Sequence, residues 1–264
     1  MTRKEKTPAR ARGRNRDGAP VYSMQAILSG TFDPDLRQWA RDARDVGKPM
    51  LAEFGTEVNG QWFPWNGKWN GGATTDGYGD PAVPDGPERF RDAFRHIIDI
   101  CREEGAANIT WFFHIDADSS PEEPWNAMAN YYPGDDYIDW IGISVYGSQR
   151  AGREWPTFTE KLDRAYPEIC AISKAKPLAV VEYAVVDDPA HDKPAWIRDA
   201  LGAIRSGRYP RIKAMSYWNE AWNSRGTLVD LRANSSPESL AAYKGAIADP
   251  FFIPKLEFAA VPAR

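Results

Sequence analysis

The sequence predicts an α/β fold, a (β/α)8 TIM barrel, and three observations lead there. From about residue 20 onward, short apolar segments alternate with amphipathic helical ones, as in a parallel sheet covered by helices. Carboxylates and aromatics recur where the apolar segments end, at Glu57, His114 to Asp116, Tyr146, Glu182 and Trp218 to Glu220. Barrels and open α/β sheets both carry their sites at that edge. No glycine-rich phosphate loop follows any strand, so a nucleotide-binding open sheet is disfavoured and the barrel is kept.

The elements follow in order. Val21 to Gln25 is a candidate short strand. Asp33 to Val46 reads as a helix, opened by Asp33-Pro34 and carrying Leu36, Trp39, Ala40 and Ala43 on one face. Met50 to Phe54 is a short buried strand, and Glu57 is expected at the end of the same run. From Gly60 to Pro87 the chain is rich in Gly, Trp, Asn and Asp, and loops of that length are usually functional. Pro87 to Glu104 is a strongly amphipathic helix with Phe90, Phe94, Ile97, Ile98 and Cys101 inward, closed by Gly105. Strands are then expected at Ile109 to Ile115, Asp139 to Tyr146, Leu178 to Val186 and Ile212 to Trp218. Helices are expected at Phe158 to Ile172, Pro194 to Ser206 and Pro237 to Ile247, and a Pro-rich acidic loop before Asp136.

Composition narrows the function. With 264 residues and 42% hydrophobic content, one large barrel domain can be filled. Eleven Trp, several beside Gly, Asn and Pro, suit flat platforms for sugar rings as well as core packing. A net charge of −4 with no basic stripe beyond residue 16 argues against nucleic acid as a partner. No run of about 18 apolar residues predicts a membrane span. Cys101 and Cys170 fall in helical segments and are expected as buried free thiols. Residues 1–19 are expected to be a disordered basic tail without the apolar centre of a secretory leader, and 20–264 the barrel domain. A monomer without metal or other cofactor is expected. Three His leave little for a zinc site, Asp76, Asp80 and Asp85 read as a solvated loop, and Ser144 lacks a nucleophile-elbow context.

Glycosidic hydrolysis needs a protonated carboxyl at the leaving oxygen and an ionised one at the anomeric carbon. Glu182 stands within the apolar strand LAVVEYAVV, where a charge without a purpose is costly. Glu57 is the second candidate. Glu53 has the same strand parity and points inward, with a partner that the sequence does not identify.

These residues lie in segments that resemble glycoside hydrolase family 26, the β-mannanase family of clan A. EFGTEVNGQWFPWNG, from Glu53 to Gly67, is similar to the family's acid/base segment: a catalytic Glu, a hydrophobic residue, Asn-Gly and Trp-x-x-Trp, matched by Glu57, Asn59, Gly60, Trp62 and Trp65. DWIGISVYG, from Asp139, resembles the sixth strand, VVEYAV the seventh and SYWNE the eighth. The resemblance implies Glu57 as acid/base, Glu182 as nucleophile and Tyr146 as the residue that orients it. It implies sugar contacts from Trp62, Trp65, His114, Asp116, Trp218 and Glu220. A Tyr hydroxyl donated to Glu182 would favour its charged form. Glu57 would keep its proton beside apolar Trp62 and Trp65 and the charge of Glu182, then ionise once the glycosyl-enzyme removes that charge.

Two positions depart from the family pattern: Thr56 stands where His usually precedes the acid/base, and Glu53 where Arg is often found. The implied activity is a retaining endo-β-glycanase acting first on β-1,4-mannan, with β-1,3-xylan and mixed-linkage β-glucan open. A weakly catalytic carbohydrate-binding barrel and a fragment needing a partner are the alternatives. In family order, strands four to eight are present, Val21 to Gln25 stands as the third, and no sequence remains for the first two βα units. An N-terminally shortened barrel is the expectation, its longer parent a secreted protein.

Overall fold

A computed structural model describes residues 23–253 apart from 225. The described residues cluster into two compact units that divide after Trp140.

The first unit begins with a helix where a strand was expected. Ser23 caps it, its hydroxyl accepting from Ala26 N at 3.1 Å, and α1 runs Met24–Leu28. Met24 and Ile27 are its buried residues, so the apolar spacing here is helical, not alternating. Val21 and Tyr22 lie outside the described residues. Helix α2, Asp33–Val46, has Asp33 and Asp35 in its first turn and ends on left-handed Gly47 (φ 60°). Of its expected inward face only Ala40 and Ala43 are fully buried, while Trp39 keeps an exposed flank beside the Trp111 ring.

Strand β1, Met50–Glu53, pairs in parallel with β2, Ile109–Asp116, in the register Met50↔Ile109 to Glu53↔Phe112. Alternation along β2 decides what faces what. Trp111 and Phe113 meet Phe94 and Phe90 of α3, Asp85–Glu103, at ring-centroid distances of 5.8 and 6.5 Å. His114, one residue on, turns to the opposite face. Helices α1 and α2 pack on α3, whose buried stripe includes the expected Phe90, Phe94, Ile97, Ile98 and Cys101.

Of the acids expected to be solvated before α3, Asp76 and Asp80 are exposed but Asp85 is not. Asp85 is 1% exposed, and its carboxylate accepts from Thr74 Oγ1 (2.8 Å) and Gly77 N (3.0 Å). Glu88 likewise accepts from Asp80 N. Two acids in the first turn of α3 thus fold the glycine-rich loop onto the helix.

In the second unit β3, Trp140–Tyr146, β4, Leu178–Ala184, and β5, Ile212–Tyr217, run parallel in that order. Helix α4, Phe158–Ile172, opens with a capping box of Thr157 and Glu160, and α5, Lys193–Arg205, opens on Asp192. Helix α6, Pro237–Ile247, is capped by Ser236 and packs on α5. Five parallel strands are thus described where six were expected, the described end of the sixth, Ser23 to Gln25, being the cap and first turn of α1. An antiparallel hairpin that the sequence reading lacked, β6 (Ala221–Ser224) and β7 (Thr227–Asp230), follows β5. Its signal was available: Gly226 takes φ 84° and donates to Asn223 Oδ1 at 2.8 Å, a turn written by the sequence Asn-x-x-Gly. Val229 of the hairpin joins a small core with Tyr146, Ala184, Val186 and Leu231.

Both cysteines are free thiols. Cys101 is buried, which pushes its thiol up to about 11, whereas Cys170 is only half-buried, short of the expectation. No described helix is long and apolar enough to cross a membrane.

Candidate active site

The site residues of the first unit gather just beyond β1. The strand stops at Glu53, so Glu57 does not end it but stands four residues later in a tight turn. Its backbone takes φ 49°, a left-handed conformation rare for a residue with a Cβ, and its side chain is only 8% exposed. Trp62 Nε1 donates to Glu57 Oε2 at 2.8 Å, while 47% of the Trp62 residue surface stays open. The indole thus holds the carboxyl by its polar edge and leaves ring surface free. Gly60 lies under that ring, where any Cβ would collide with the indole. Trp65 supports the same turn. It stacks on Phe63 with ring centroids 4.4 Å apart and donates Nε1 to the Thr56 carbonyl at 2.7 Å.

Glu53 finds the partners that the sequence left unnamed. Thr56 Oγ1 donates to its Oε1 at 2.5 Å, and His114 Nδ1 lies 2.5 Å from its Oε2. Burial opposes the Glu53 charge, but the hydrogen bond and charge of His114 and the Thr56 hydroxyl outweigh it and hold the carboxyl below its ordinary value. His114 itself is 1% exposed, so it lies in the support of this turn and offers little open surface for the sugar contact expected of it. Asp116 is half-buried. Its Oδ1 accepts from Asp118 N at 2.7 Å and its own N–H donates to Asn59 Oδ1 at 2.7 Å.

Beneath the turn is a buried polar network that the sequence reading missed. Asn59 Nδ2 donates to Asp116 O (2.9 Å) and Ser119 Oγ (3.1 Å). Asn126 Nδ2 donates to Asn59 O and Pro121 O, both at 2.8 Å, and Tyr131 donates to Asn126 Oδ1 at 2.5 Å. Asn66 Nδ2 reaches Val58 O at 2.7 Å. All three Asn are fully buried. Together they tie the loop after β1 to the loop after β2, so the Asn-Gly after Glu57 acts as a structural clamp. Asn126 and Tyr131 sit in the segment that read only as a Pro-rich acidic loop. An amide flanked by Trp125 and by paired Tyr was the one hint of burial.

In the second unit, Tyr146 at the end of β3 donates its hydroxyl to Glu182 Oε2 at 2.7 Å. Glu182 lies where β4 slips register. Ile143 pairs with Val180 and Ser144 with Glu182, leaving Val181 as the extra residue of a bulge. Such a bulge re-aims the side chains that follow it, and bulges are over-represented beside active sites. Glu182 is half-buried there, not sealed within the strand. Trp218, one residue past β5, anchors its N–H on Tyr183 O at 3.1 Å and leaves its residue surface 39% exposed. Glu220 is exposed, with its carbonyl accepting from Leu231 N at 3.0 Å. Asn219 Oδ1 takes the Ala233 N–H at 2.8 Å, fixing the approach to the hairpin.

Known proteins resemble this chain over most of its length. Endoglucanase H of Acetivibrio thermocellus is 31% identical over 229 residues, which are 86% of this chain and 23% of that protein. A beta-1,3-xylanase of a Vibrio species is 22% identical, over 87% of this chain and 50% of that one. The chain therefore spans from about a quarter to half the length of these relatives. Among solved structures, a Cellulomonas fimi endo-beta-1,4-mannanase double mutant superposes with a TM-score of 0.61 at 20% identity, over 86% of this chain and 49% of that one. A Bacillus sp. JAMB-750 endo-beta-1,4-mannanase catalytic domain gives 0.61 at 20% identity, over 85% and 57%. At that identity the likeness carries the fold, that of a (β/α)8 barrel family. The sequence pattern of Glycosyl hydrolase family 26 matches residues 23–205, well over half of the 264 and inclusive of Glu57, Tyr146 and Glu182. The chain belongs to glycosyl hydrolase family 26.

Proposed function

We propose that this chain is a retaining endo-β-glycanase in which Glu182 is the nucleophile, Glu57 the acid/base and Tyr146 the residue that orients Glu182. The observation that carries the reading is the Tyr146 hydroxyl on Glu182 Oε2 at 2.7 Å, at a bulge in an apolar strand. A donated O–H favours the ionised form of Glu182, the form that attacks. Glu182 attacks the anomeric carbon while Glu57 gives its proton to the departing glycosidic oxygen. Water then enters, losing its proton to Glu57 as the glycosyl ester on Glu182 breaks. The reaction requires these carboxyls about 5–5.5 Å apart. Trp62 and Trp218 supply open ring surface for sugar faces. Trp65, Asp116 and Glu220 contribute to the walls.

Mixed-linkage β-glucan becomes the preferred substrate, ahead of β-1,4-mannan and β-1,3-xylan. The 31% relative is named an endoglucanase, whereas the mannanases cited above reach 20%. The departures at Glu53 and Thr56 also put an acidic and a hydroxyl group where the family pattern has Arg and His, changing what a sugar hydroxyl would meet.

The test measures reducing-sugar release from all three polymers by the chain and by Glu182→Ala. Release that is equal for the two on every polymer sinks the enzyme reading and leaves a carbohydrate-binding barrel. Proton NMR of the first product gives the stereochemistry: retained configuration is expected, and inversion would remove Glu182 as nucleophile.

A further inference from the structure

Glu57 occupies a backbone conformation that its own chemistry does not favour. At φ 49° the Cβ of an L-residue crowds the following carbonyl, so the surroundings must over-determine the turn. On its C-terminal side, Val58 N donates to His114 O at 3.1 Å and Gly60 N to Glu57 O at 2.8 Å. On its N-terminal side, Thr56 is held twice, by its hydroxyl on Glu53 and by its carbonyl under Trp65 Nε1. Glu53 then joins the two sides, because its other oxygen meets the ring of the same His114 whose carbonyl receives Val58.

We propose that Glu53 is a positioning residue for the acid/base, holding the turn that presents Glu57 through Thr56 on one flank and His114 on the other. This rests on Glu57 being the acid/base, as proposed above. Hydrogen bonds to a charged carboxylate are short and strong, and both Glu53 oxygens take one. The two departures from the family pattern thereby acquire one explanation. With Glu at position 53, a small donor at position 56 completes the carboxylate and fixes the residue before Glu57. A shift of about 1 Å in a catalytic group costs on the order of a hundredfold in rate, so loss of the Thr56 tether is expected to register in chemistry before it registers in folding. Glu53 does not touch the reacting atoms in this proposal; it acts through the backbone of its neighbours.

The test exploits leaving-group chemistry. A polysaccharide leaving group needs the proton from Glu57, whereas dinitrophenolate departs without one. The substrates are the best polymer and the dinitrophenyl β-glycoside of the disaccharide that its digestion releases. For Glu57→Ala, kcat/KM on the polymer falls by about 10²–10⁴-fold and on the dinitrophenyl glycoside far less. Thr56→Val, which keeps shape and loses the donor, is expected to show the same asymmetry at about tenfold or more. Thr56→Ser should restore the wild-type ratio, and Glu53→Leu should match Thr56→Val. Equal losses on both substrates, or wild-type values, in Thr56→Val and Glu53→Leu overturn the positioning role. A lowered melting temperature with an unchanged ratio of the two substrates does so too, and marks a purely structural pair. If Glu57→Ala itself lacks the asymmetry, the acid/base assignment fails first and takes this one with it.

Discussion

Glu182 and Tyr146 are joined by a hydrogen bond, and its removal gives a direct prediction. Tyr146→Phe deletes one O–H donor to a carboxylate, a bond of the charged class that contributes about 1.5–3 kcal/mol. A fall in kcat of roughly tenfold to a hundredfold is expected, with KM little changed, because the hydroxyl serves the nucleophile and not the sugar. Steady-state kinetics on the best polymer measures it. An increase in KM with kcat intact would place Tyr146 among substrate contacts instead. The buried Asn network makes a second prediction. Asn126→Ala leaves the Tyr131 hydroxyl without its acceptor and takes one of two donors from each of the Asn59 and Pro121 carbonyls, which keep Ser120 N and Glu123 N. Each buried orphan costs about 1–3 kcal/mol, so a destabilisation of at least that size is expected in a denaturant melt. A loss under about 0.5 kcal/mol, the range of an ordinary surface substitution, would mean that the network is dispensable.

Helix α5 and the segment after β7 are connected through Lys193, a buried ammonium. Its Nζ donates to Asp230 O (3.2 Å), Arg232 O (2.9 Å) and Ser235 Oγ (2.9 Å), with Asp187 at 3.9 Å. Burial outweighs the nearby acids and pulls the amine from 10.5 down to about 8. Between these values the unfolded chain binds the proton that the folded chain has released, so this group's contribution to stability rises with pH from about 8 to 10.5. Lys193→Met should lower Tm at neutral pH, through the hydrogen bonds lost at Ser235 Oγ and at the Asp230 and Arg232 carbonyls, which keep only Asp187 N and Ser235 N, and should remove the alkaline rise. Paired Tm measurements at neutral pH and near pH 10 check both parts. A pH-independent difference between wild type and Lys193→Met would contradict the lowered amine.

At the scale of the whole molecule, the buried tyrosines set the alkaline limit. Burial raises the hydroxyls of Tyr131, Tyr183 and Tyr217 above the ordinary 10.0, and burial with Asp92 takes Tyr78 to about 12. A group whose folded value is raised loses its stabilisation as pH climbs, because the unfolded chain ionises first. Melting temperature is expected to pass a maximum near pH 10 and fall towards pH 12, the interval between free tyrosine and Tyr78. A curve still rising at pH 11 would contradict it.

Much of this protein was legible because its signals are local. Apolar strands at 109–115 and 139–146, the stripe of α3 and the Glu inside LAVVEYAVV each declare themselves within about ten residues, where period and burial cost suffice. The same locality explains the error at Met24, where five residues cannot separate strand from helix until Ser23 is seen capping the turn. Other features depend on residues far apart in sequence: the His114 partner of Glu53, the Asn59–Asn126 clamp and the carbonyls around Lys193. The left-handed turn at Glu57 and the bulge at Val181 are backbone geometries that no side-chain pattern announces. Sequence by itself determined the longer helices and the buried strands, and which acids are costly enough to demand a purpose, because propensity and burial act residue by residue. Tertiary structure decided how those acids are held, because a hydrogen bond between residues 61 or 67 positions apart exists only once the chain has folded.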